Sequence, residues 1–176
     1  MLEGLLSAVY GMSVSALIIS MLLVLVLSAI LHLTLKPTVK QVVGIILTVC
    51  VLLLLSYVTM LGRSEPETGL LLIPGNSIAK AFVSDIYLKM VLMNIFVFVP
   101  YGAFMTLVFS RYGVKATVLV TLLSGLVITV LIEVLQYVLG LGCAETDDVI
   151  CNLAGAAIGL VPYFATYKAV KKRLSR

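Results

Sequence analysis

The chain has 176 residues, of which 62% are hydrophobic and 11% charged, with a formal net charge of +4 and a mean hydropathy of +1.22. Soluble domains carry about 25% charged residues, and no stretch here offers a polar helix face to cover a buried core. That excludes a water-soluble domain and leaves an all-α, polytopic transmembrane bundle, a single domain over residues 1–176 with membrane lipids around it and no role for nucleic acid.

Residues 1–13 hold one acid, Glu3, and no base. The first apolar run, about residues 14–35, is long enough to cross a hydrocarbon core of about 30 Å. It is too long for a signal-peptide core and lacks a basic lead. A basic turn follows, Lys36-Pro37-Thr38-Val39-Lys40, with a helix-breaking proline. His32, just before it, reads as a satisfied helix-end residue and not as a ligand. The second run, about residues 42–61, contains Cys50, read as a small hydrophobe.

Residues 62–89 form the longest polar interval, with Arg63, Glu65, Glu67, Lys80 and Asp85. Within it, Leu70 to Pro74 is apolar but too short to span, which suits a re-entrant or interfacial loop. The third run, about residues 88–109, carries Asn94, Pro100 and Gly102, and Pro100 is expected to kink it. A basic turn with Arg111 and Lys115 leads to the fourth run, about residues 117–139, with Glu133 and Gln136 near its end. An acidic break follows, with Glu145, Asp147 and Asp148. Cys143 and Cys151 flank it and are the two cysteines placed to pair across an external loop. The fifth run, about residues 149–167, is capped by Thr146, with Asp147 and Asp148 at the positive end of its dipole. The chain ends in a basic tail.

Charge placement orients these five spans. Lys36, Lys40, Arg111, Lys115, Lys168, Lys171, Lys172, Arg173 and Arg176 share one side, nine of the twelve bases, and none of the eight acids joins them. Bases concentrate on the cytoplasmic side, so the N-terminus is expected outside, the C-terminus inside and the acidic break outside. Asn94, Glu133 and Asn152 then lie at similar depth on three consecutive spans, about 5–10 Å below the outer surface. A mutual cluster is the least costly way to bury them. Glu133 and Gln136, three apart, share a helical face, as do Asp148, Asn152, Gly155 and Gly159. Gly155 and Gly159 form a GxxxG, a packing face for the third or fourth span.

Three parts of the chain resemble the VanZ-like family of bacterial membrane proteins. Leu71-Leu72-Ile73-Pro74, with Arg63 upstream, looks like that family's NLIPF-type loop. Asn94, Phe98, Pro100 and Gly102 match its N-x-x-x-F-x-P-x-G segment. Glu133-x-x-Gln136, then Asp147-Asp148-x-x-x-Asn152-x-x-Gly155-x-x-x-Gly159, match its E-x-x-Q and D-D-x-x-x-N-x-x-G-x-x-x-G signature. The matching core covers about residues 62–167. The chain departs from the pattern in having no base between Gln136 and Asp148, so Arg63 is the candidate counter-ion.

The family takes its name from an accessory protein of resistance to teicoplanin, a glycopeptide with a fatty acyl chain. The resemblance therefore implies a multi-pass protein of the bacterial cell membrane, acting in the envelope and contributing to glycopeptide antibiotic resistance. On the binding reading, Arg63, Asn94, Glu133, Gln136, Asp147, Asp148 and Asn152 form an outward acidic cleft. It would hold the head group of an amphiphile, either an envelope or cell-wall precursor lipid or a lipidated glycopeptide. On the enzymatic reading, Glu133 with Asp147 or Asp148 serves as acid and base or as oxygen ligands for a divalent cation. On the structural reading, the same groups only bond helices together, at about 0.6–2 kcal/mol each. No cofactor is implied. With one histidine and scattered cysteines there is no zinc set, and no Ser/His/Asp set either.

Overall fold

The computed structural model describes residues 11–61 and 69–174. The first two helices are α1 (Val14–Thr34) and α2 (Pro37–Leu61), followed by a short strand β1 (Gly69–Leu71) and a short helix α3 (Asn76–Lys80). Then come α4 (Asp85–Phe109), a 3₁₀ turn (Ser110–Tyr112), α5 (Val114–Val138), strand β2 (Cys143–Glu145), α6 (Thr146–Ile158) and α7 (Val161–Leu174). Five segments are long and apolar enough to cross a membrane, namely α1, α2, α4, α5 and the α6–α7 rod over Thr146–Ala169. The protein is a five-span transmembrane bundle.

The helix starts are set by residues that make good first positions. Pro37 opens α2, where its missing N–H costs nothing. The Ser13 hydroxyl accepts from the Ala16 amide at 3.2 Å to start α1. The fifth span is two helices because Pro162 has no N–H for the Ile158 carbonyl, so the rod is interrupted at Gly159–Leu160. By contrast, α4 runs through Pro100 without a break in its helical assignment.

The interior is built on α4 and α6. Of the most apolar window of each span, 56% is buried in the third and 50% in the fifth, against 11% in the first. The first span is therefore mainly a lipid-facing wall, with Leu22 and Leu23 outward. The α4–α6 seam is close because three glycines leave room for backbone. A Cβ on Gly102 would overlap the Ala156 carbonyl, and one on Gly155 would overlap the Ile95 carbonyl. One on Gly159 would sit 2.5 Å from the Ala103 nitrogen. The GxxxG face thus meets the third span. Beside the seam, Phe98 and Tyr101 are fully buried with Leu55, Ile132 and Ala156, and the Tyr101 hydroxyl pairs with Ser124 at 2.6 Å.

At the acidic end, β1 and β2 pair in parallel, with Gly69 opposite Cys143 and Leu71 opposite Glu145. A parallel pair requires a long crossover, and here two whole spans supply it. The Leu70–Pro74 segment therefore lies over this end of the bundle as a paired strand and turn, with Leu72 and Ile73 exposed. Cys143 and Cys151 are not joined in a disulfide.

Candidate functional site at the acidic end

The return from α5 to α6 sets the geometry. Gly140, with φ 67°, takes the left-handed conformation that ends α5, and the Leu141 amide reaches back to the Gln136 carbonyl at 2.8 Å. The chain then doubles back as β2, so that the Glu145 amide donates to a Glu133 carboxylate oxygen at 3.0 Å. Glu133 is 6% exposed. Thr146, expected as the cap of the fifth span, is instead its first helical residue. Glu145 holds the cap position without a capping side chain.

Asp147 turns away from its own helix. Its carboxylate accepts from the amides of Gly75 at 2.5 Å, Ser77 at 2.7 Å and Ile78 at 3.1 Å. Those are the amides that α3 leaves without helical partners, so Asp147 caps α3 from across the fold. The Ser77 hydroxyl donates to Glu145 at 2.8 Å and closes the same junction. Asp148 faces the other way and accepts from the Asn94 amide at 2.5 Å, tying α6 to α4.

One turn deeper, the Asn152 amide pairs with the Thr129 hydroxyl at 2.8 Å. Thr129 lies on the Glu133 face of α5 and Asn152 on the Asp148 face of α6. The three groups expected at one depth therefore occupy two tiers. The upper tier holds Glu133 with the Glu145 amide and Asn94 with Asp148, and the lower holds Asn152 with Thr129. Gln136 points to a different neighbour, donating to the Thr59 carbonyl of α2 at 3.1 Å.

Among the described residues, two buried acceptors in this region have no donor, Gln136 Oε1 and Asn152 Oδ1. For Gln136 the assignment is forced, because the Thr59 carbonyl can only accept. For Asn152 either orientation of the amide leaves one of its two polar atoms without a partner, since Thr129 offers a single hydroxyl. Among the described residues, no group of three His, Cys, Asp or Glu is placed to hold a metal ion. Arg63 lies outside the described residues. Glu145, Ser77, Thr59 and Thr129 complete the arrangement. Thr129 was recoverable from its position one turn from Glu133, whereas nothing local marks Ser77 or Thr59.

No curated protein and no solved structure matches the chain. A family model described as VanZ/LLP1 matches residues 41–167, from early in α2 to well into α7. That stretch contains all of the acidic-end polar groups and the glycine seam beneath them, and on this match the chain belongs to the VanZ/LLP1 family.

Proposed function

We propose that this VanZ-family membrane protein binds the donor-bearing head group of an amphiphile at its acidic end, which faces outward from the bacterial cell membrane with the N-terminus outside and the C-terminus inside. The ligand is an envelope lipid or a lipidated glycopeptide of the teicoplanin kind, and binding it contributes to glycopeptide resistance. The observation that carries this reading is a pair of buried side-chain amides near Glu133, Gln136 and Asn152, each with one polar atom that lacks a partner among the described residues. A buried polar atom without a partner is costly, and a ligand head group bearing hydroxyl or amide groups that reached either one would satisfy it. The Glu133 carboxylate adds charge to the same surface, and bonds to an ionised acceptor are the stronger kind. Asp147, with three amides on its carboxylate, has less acceptor capacity left for the ligand than Glu133.

Glu133→Gln tests it. Glutamine keeps an oxygen for the Glu145 amide, so the fold survives while the charge is lost. The purified variant is expected to insert and melt like the parent. It should fail to bind a fluorescent lipidated glycopeptide in vesicles and fail to protect cells from it. Asn152→Ala is expected to weaken binding less. A glycopeptide without the acyl chain is the control for the role of the lipid tail. Undiminished binding by Glu133→Gln would refute the reading.

A further inference from the structure

A cavity of about 290 Å³ opens at the opposite, basic end of the bundle. It lies where the α1–α2 turn, the α4–α5 turn and α7 converge, and its lining includes His32, Arg111, Tyr163, Thr166, Tyr167 and Lys171. Its volume is that of roughly ten water molecules, enough for a phosphate and the polar stem that carries it. Among the described residues, no Asp or Glu lines it. Two basic residues thus contribute to the wall with no carboxylate beside them, the Arg111 guanidinium resting over the Tyr112 ring with its centre 4.6 Å from the centroid.

The inner wall is built to a fixed shape. His32 is 2% exposed and Tyr163 likewise. The His32 ring bonds Thr106 through Nε2 at 2.8 Å, and its centroid lies 5.5 Å from that of Tyr163. Thr106 in turn donates to the Ala103 carbonyl at 2.6 Å, so its proton is committed and His32 Nε2 is the donor. Tyr163 is thereby held against a fixed ring, and its own buried hydroxyl has the Thr117 side chain as a polar neighbour yet closes no hydrogen bond within 3.5 Å among the described residues. A buried donor left without an acceptor is the exception in folded proteins, and here it sits in the wall of a basic cavity.

We propose that this cavity binds a phosphate group at the basic face of the membrane, with Arg111 and Lys171 supplying the charge and the Tyr163 hydroxyl the inner hydrogen bond. Arginine and lysine are the usual phosphate partners, and each contact of this kind is worth about tenfold in affinity. The phosphate belongs either to an anionic phospholipid head group or to a free phosphate ion. The site is on the other side of the bundle from Glu133 and is independent of the outward binding reading.

The test uses the full chain in a neutral detergent, titrated with phosphatidylglycerol or with inorganic phosphate, with thermal stabilisation and lipid retention in native mass spectrometry as readouts. Phosphatidylglycerol is expected to bind in preference to phosphatidylcholine. Arg111→Gln and Lys171→Gln are expected to weaken it about tenfold each, and Tyr163→Phe, which leaves the net charge alone, several-fold. Lys168→Gln removes the same charge from an exposed position outside the lining and should leave affinity unchanged. Competition by inorganic phosphate assigns the site to the free ion, and its absence alongside lipid binding assigns it to the head group. If Lys168→Gln weakens binding as much as Lys171→Gln, or Tyr163→Phe has no effect, the attraction is diffuse and the proposal fails.

Discussion

The two ends of the bundle handle buried polar groups in different ways. At the acidic end, carboxylates accept from backbone amides on distant segments, as Asp147 does from Gly75, Ser77 and Ile78 and Glu133 does from Glu145. At the basic end, side chains bond across helices or to the carbonyls of a neighbouring turn. His32 meets Thr106, and Thr117 lies 2.7 Å from the Gly113 carbonyl. Bonds between spans occur at both ends, as Asn94 with Asp148 and Asn152 with Thr129 show at the acidic one, and the acidic end adds carboxylates that hold loops. The contrast teaches that a buried charge is not by itself a sign of function. Asp147 is buried and accepts from three amides, which leaves little of its carboxylate for a ligand. The atoms worth testing are those left over, Gln136 Oε1 and Asn152 Oδ1 at one end and the Tyr163 hydroxyl at the other.

The largest effect that would break this contrast is expected from Asp147→Ala. It leaves three amides, one buried and two half-buried, without an acceptor, a loss of order 3 kcal/mol. Hydrogen exchange should show residues 69–80 opening while residues 106–117 stay protected. Equal loosening at both ends would show that the two ends are not separate units. Next comes Gly155→Ala, where the new Cβ must push α4 and α6 apart at a cost of roughly 1–3 kcal/mol. This seam runs under both ends, so both should exchange faster, and a lowered thermal midpoint in detergent checks it.

A smaller effect is expected from Thr129→Val, which removes the only hydrogen bond given to Asn152 among the described residues. The loss should be about 0.6 kcal/mol, the usual value for a bond between membrane helices. Ligand affinity at the acidic end should fall with it, because Asn152 loses its orientation. The smallest belongs to Tyr163→Phe, which deletes a hydroxyl that closes no hydrogen bond within 3.5 Å among the described residues. Stability without ligand should stay within about 0.5 kcal/mol of the parent. A marked loss would reveal an internal partner and remove the reason for assigning that hydroxyl to a ligand.

The spans were legible because the membrane imposes a length on apolar runs. Four helices begin three to five residues earlier than their apolar runs suggest, since Pro37, Asp85, Val114 and Thr146 follow turns whose polar residues read as loop. The glycine seam was legible as small residues at helical spacing. The two-part fifth span was also open to reading, since Pro162 stands in plain view. The β1–β2 pair was not legible, because three residues carry no periodicity and their partners lie more than seventy positions apart. Nor was the direction of Asp147. Its place in the first turn of a helix suggested its own dipole, and only the fold brings a second helix start within its reach. The basic cavity escaped for another reason. Its residues come from two turns and a helix far apart in the chain, and the bases among them had served only to set topology.

The capping of α3 by Asp147 also sets an order of assembly. The bonds it makes join residues 69 to 72 positions apart, and the β1–β2 ladder spans a similar gap. At a synthesis rate of about 5–20 residues per second, segment 69–80 waits roughly 4–14 s for its acceptor to emerge. Through that interval Leu70, Leu72, Ile73 and Phe82 have no partner strand or anchored helix. An apolar segment of that kind rests most cheaply in the head-group layer. The nascent protein thus presents a membrane-adsorbed flap that the fifth span later picks up. Truncation before residue 147 is expected to leave four inserted spans with this flap unpinned and open to protease, and the full chain to protect it.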